Sequence, residues 1–129
     1  MSLSITGFYA GLLALLFIVL SINVIRMRLK FKVGTGDGEQ EPLIKAIRVH
    51  GNFIEYVPLT LILLAAFEFS GGNALWLHIL GGALFVSRIL HAMGLTKSLG
   101  TSLPRQIGTL TNFIVLLVLS VLNIGVFLT

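Results

Sequence analysis

The chain has 129 residues, enough for one domain and too few for two ordinary ones. Apolar residues make up 56% and charged residues only 11%, whereas an average soluble domain is about 25% charged; a water-facing globule is excluded. The formal charge of +4 does not point to nucleic acid, because the cations cluster after an apolar run and form no basic face interleaved with aromatics. Cysteine is absent, which removes disulfides, thiolate metal sites and a cysteine nucleophile.

Long uncharged runs predict an all-α membrane protein, a four-transmembrane-helix bundle in a single domain spanning residues 1–129. The first span runs from about Ile5 to Ile25 and ends in the cluster Arg26, Arg28, Lys30 and Lys32. No cation precedes it and no small-residue cleavage site follows, so it does not read as a signal peptide. Gly34 to Pro42 is a hydrophilic loop with three glycines and three acids. The second helix, about Leu43 to Phe69, carries Lys45, Arg48, His50, Asn52 and Glu55 in its first half and is almost pure hydrocarbon in its second. A turn at Ser70–Asn73 leads to a third helix, about Ala74 to Leu95, with Arg88 and His91 near its end. Pro104 suits the first turn of a fourth helix, about Arg105 to Leu128.

Loop Lys and Arg fall only after the first and third spans. The positive-inside rule then places both basic loops in the cytoplasm and both termini outside. The lysines read as snorkelling anchors. Tyr9 and Trp76 read as interfacial belt residues, His78 as interfacial and Glu68 as solvated.

Ionisable groups inside a membrane are expensive and need a reason. At 100° per residue Arg48, Asn52 and Glu55 share a sector of about 60° on one face of the second helix. Arg88 and His91, three residues apart, share a face of the third. With Arg28 and Arg105 at the ends of their own helices, cations from all four helices reach one depth, together with one carboxylate and one amide. This is a receptacle for a small anion or zwitterion, since Arg holds carboxylates bidentately and Glu holds an ammonium. The alternative is a structural ion pair, Arg48–Glu55 or Glu55–Arg88, that fixes helix register. His50 lies off the stripe, which points to packing or a lipid headgroup as readily as to a ligand. Pro58 removes the bond to the Ile54 carbonyl and should kink or loosen the second helix.

The run Arg48-Val-His-Gly-Asn52-Phe-Ile-Glu55-Tyr56-Val-Pro58 resembles the second-helix signature of the MAPEG family, the membrane-associated proteins of eicosanoid and glutathione metabolism. Arg88-Ile-Leu-His91 is similar to the Arg-x-x-His of some members, and the length and span number match the small bacterial inner-membrane branch. The resemblance implies a homotrimer with three sites, each between neighbouring protomers on the cytoplasmic side, both termini being periplasmic. It implies glutathione as the thiol substrate or cofactor, and an apolar co-substrate arriving from the membrane lipids. Arg48, Asn52, Glu55 and Tyr56 would be its contacts, with Arg88 and His91 from the third helix and Arg28 (or Arg26) as a further cation. Arg105 would be catalytic, placed near the thiol. A free thiol has a pKa of about 8.5, and a nearby guanidinium favours the thiolate. No metal is implied.

The chain also departs from that pattern. After His91 the third helix reads Ala92-Met93-Gly94-Leu95 where glutathione-using members have tyrosines, the only tyrosines are Tyr9 and Tyr56, and Gln106 follows Arg105 where one member has a serine. Three functions follow in order: a glutathione-dependent transferase or peroxidase acting on lipophilic electrophiles, a non-catalytic binder of glutathione or a lipid, and a proton-coupled transporter using Glu55. The last is disfavoured because Arg48 on the same face keeps Glu55 charged.

Overall fold

The computed structural model describes residues 2–129 and contains four helices, α1 (Ser4–Phe31), α2 (Glu41–Phe69), α3 (Ala74–Lys97) and α4 (Leu103–Leu128). All four are long and apolar enough to cross a membrane. Their 24 to 29 residues correspond to about 36–44 Å, more than the roughly 30 Å hydrocarbon layer. The excess is polar and lies largely in the basic ends: α1 continues through Arg26, Arg28 and Lys30 before Lys32 adopts the left-handed conformation that closes it. Pro42 and Pro104 occupy first turns, where their missing N–H groups leave no helical bond unmade. The Asn73 side chain caps α3 and the Ser102 hydroxyl caps α4. Helix α2 passes through Pro58 without interruption.

Helices α2 and α3 pack together at the centre, with α1 resting on one side of them and α4 on the other; among the described residues α1 and α4 do not touch. The tightest contact is α3 on α4, and two glycines make it possible. A Cβ on Gly108 would stand 2.6 Å from the Ser87 carbonyl oxygen and 2.8 Å from the His91 nitrogen; one on Gly94 would stand 2.6 Å from the Arg105 nitrogen. Because lipid tails are as apolar as leucine, such close backbone approach is what holds membrane helices together. Leu13, Leu64, Leu84 and Leu119 fill the interior, while Leu15, Ile62, Val86 and Leu117 face outward as a lipid-exposed surface.

At the end opposite the basic loops, two expectations change. Glu68 stays partly open to solvent but does more than face water: its carboxylate accepts the backbone N–H groups of Ile5 (3.0 Å) and Thr6 (2.8 Å), capping α1 from another helix. The N-cap residue Leu3 offers no side-chain cap, the first turn holds no acid, and the Ser2 hydroxyl accepts only the Ser4 N–H at 3.1 Å, so this carboxylate satisfies two further orphan donors and complements the helix dipole. Tyr9 is not a belt residue either; its ring is buried over Gly81 and its hydroxyl meets His78 Nδ1 at 2.8 Å. Trp76 is exposed.

Candidate functional site

The polar residues of the spans are gathered in the half of the bundle nearest the basic loops, in an inner and an outer group. The inner group centres on Arg88, only 2% exposed. Its Nη2 donates to Asn52 Oδ1 at 2.6 Å and its Nη1 to Asn112 Oδ1 at 3.5 Å. The guanidinium also stands 5.9 Å from the centre of the Phe53 ring, so α2, α3 and α4 all enclose this one cation. His91, one turn further along α3, is buried against Gly108. Arg88 Nε, His91 Nδ1 and Asn112 Nδ2 have no hydrogen-bond partner among the described residues. Sequence reading put Asn52 and Arg88 in one candidate site without pairing them and overlooked Asn112, whose signal was an amide in the middle of an uncharged span that also carries Asn123.

The outer group lies on the open side of α2. Arg48 Nη1 and Glu55 Oε1 are 3.6 Å apart, with side chains 50% and 54% exposed. Gly51 lies beneath the pair, and even a Cβ added there would stop 3.8 Å from Arg48 Nη1 and 3.9 Å from Glu55 Oε1. Tyr56 packs edge-on against Phe113 of α4, ring centres 5.6 Å apart. Phe113 in turn ends a cavity of about 500 Å³ that runs along α4 past Thr109 and Gln106 to Arg105 and Gly100. Arg105 thus lines this cavity, and Tyr56 stands behind its far end through Phe113. Arg105 Nη1 donates to the carbonyls of Leu99 (2.8 Å) and Gly100 (3.2 Å), which ties down the α3–α4 loop.

Other candidates are placed elsewhere in the chain. Arg28 donates to the carbonyls of Val33 (3.3 Å) and Gly36 (2.8 Å), closing its own helix end and loop, and Arg26 bonds Asn23 at 3.1 Å. His50 meets the Ser21 hydroxyl at 3.1 Å and stacks on Phe17 at 4.9 Å, a packing role between α1 and α2.

Fold and site together define a class: a polytopic α-helical membrane protein with a buried arginine–amide cluster beneath a half-open ion pair. The MAPEG family model matches residues 6–125, and the chain belongs to that family. Over 90 residues it is 38% identical to the inner membrane protein YecN of Escherichia coli K12, covering 70% of this chain and 69% of that protein. The YecN of Escherichia coli O6:H1 matches with the same identity and coverage. No solved structure matches the chain.

Proposed function

We propose that the protein is a glutathione-dependent transferase or peroxidase of the inner membrane, acting as a homotrimer on lipophilic electrophiles. The observation that carries this reading is the Arg48–Glu55 pair, half-exposed on a transmembrane helix. An ion pair left facing hydrocarbon is costly, and a single protomer does not cover it. A neighbouring protomer and a zwitterionic ligand do.

The donor set fits glutathione: a guanidinium and a carboxylate side by side are complementary to the α-carboxylate and ammonium of its glutamyl end. When bound, glutathione supplies the thiol nucleophile. Arg48 and Glu55 hold its charged end, and Arg88 fixes the Asn52 amide, whose Oδ1 it binds, on the adjoining inner side of α2. With Nη1 committed to loop carbonyls, Arg105 keeps its Nε and Nη2 edge free to favour the thiolate over the thiol. The cavity between Arg105 and Phe113 gives the apolar co-substrate a route from the lipid.

A second reading, non-catalytic binding of glutathione or a lipid by the same fold, is favoured by the tyrosine count. Tyr9 is occupied with His78 at the far end, leaving only Tyr56 near the site. Incubating the purified protein with glutathione and an electrophilic aryl halide separates the two. Conjugate formed above the uncatalysed rate supports the enzyme; saturable glutathione binding without conjugate supports the binder; absence of both overturns the proposal.

A further inference from the structure

A trough follows the seam between α1 and α3, away from the ion pair: His50 faces α1, and Arg48 lies about 160° round α2 from it at 100° per residue. Its membrane part is a cavity of about 350 Å³ walled by Leu16, Val19, Leu20, Ile89, Ala92 and Met93. Toward the basic loops it continues into adjoining hollows of about 360 and 230 Å³ that carry Asn23, Arg26 and Lys45. Thr96 lines all three, and Lys97 lines the end of the first.

The polar end is cationic. Arg26 meets no carboxylate, its contact being the Asn23 side chain at 3.1 Å. Lys45 Nζ reaches toward the Lys97 carbonyl at 3.5 Å, which holds two of the cationic residues at one corner. Only Glu41 offsets them, from a side chain 67% exposed and 3.2 Å from Lys45. Lysines that merely anchor a helix need no hollow beneath them, whereas here an apolar hollow adjoins the cationic end and shares Thr96 with it.

We infer that this trough is a binding site for an anionic phospholipid of the leaflet that carries the basic loops. Its phosphate is held among Arg26, Lys45 and Lys97, with Asn23 and Thr96 as neutral donors, and one acyl chain lies between α1 and α3. Charge complementarity selects this occupant over a neutral lipid, and over a second copy of the chain, which would bring like charges together.

The test is native mass spectrometry of the protein in neutral detergent with equal dioleoyl phosphatidylglycerol and dioleoyl phosphatidylcholine. Wild type should retain the anionic lipid preferentially. Removing each cation should weaken it about fivefold, so Arg26→Gln shows that loss and Arg26→Gln/Lys45→Gln/Lys97→Gln on the order of a hundredfold. Ala92→Trp, which fills the groove without touching a charge, should reduce retention of the same lipid. Arg26→Gln alters one exposed side chain and reports even if the triple variant fails to fold. Equal retention of the two lipids by wild type, unchanged retention in Arg26→Gln, or equal displacement by glycerol 3-phosphate lacking acyl chains would overturn the assignment.

Discussion

Replacing Asn52 by Leu removes the best acceptor of a buried cation. Arg88 is 2% exposed, its bond to Asn52 is 2.6 Å, and the remaining bond, to Asn112, is 3.5 Å. Hydrogen bonds to charged groups contribute about 1.5–3 kcal/mol; the low end applies where membrane-interior partners can be replaced, the high end where none can reach. Arg88 Nε already lacks a partner among the described residues, so the guanidinium is under-satisfied even before the substitution. Asn52→Leu should therefore lower the folded-to-unfolded ratio on the order of tenfold to a hundredfold, measured by reversible unfolding in mixed detergent micelles. Asn52→Asp keeps an acceptor and adds the opposite charge, and should retain stability. The double variant Asn52→Leu/Arg88→Met, which leaves no unpaired cation, should recover most of the loss. The reasoning fails if Asn52→Leu lies within about 0.5 kcal/mol of wild type, the range of an inconsequential surface change, or if the double variant is the less stable of the two.

Glu68→Gln keeps one oxygen but loses the charge at the start of α1, and should cost about 1 kcal/mol. Hydrogen exchange at Ile5 and Thr6 should quicken, and unchanged exchange there would contradict the cap. A reporter fused after Thr129 should report an exterior location, because the loop cations all follow the first and third spans; a cytoplasmic signal would invert the topology. In mild detergent, native mass spectrometry should find a trimer, and monomer or dimer alone would leave Arg48 and Glu55 uncovered.

The spans were legible because hydropathy and loop charge depend on local sequence alone. The helix ends were read short, since Arg26 to Lys30 stay helical beyond the apolar run and only Lys32 breaks it. On α2, periodicity was enough to put Arg48 and Glu55 on one face. It was silent about partners on other helices: that Arg88 turns inward to Asn52 and Asn112, that Glu68 caps α1, and that Tyr9 reaches His78 are outcomes of packing at sequence separations of 24 to 69 residues. Charge near a helix end was equally ambiguous. Arg28 reads as a site cation, yet its guanidinium closes its own helix because carbonyls there need donors.

The central claim is that Arg48 and Glu55 form the receptacle for the charged end of glutathione. Calorimetric titration of wild type and Glu55→Gln with glutathione, beside their melting curves, tests it most directly. Loss of one charge-assisted hydrogen bond should weaken binding about tenfold to a hundredfold, and the loss should persist in protein that the melting curves show to be folded. A variant that melts early yet binds glutathione normally once folded would make the pair structural and the site assignment wrong.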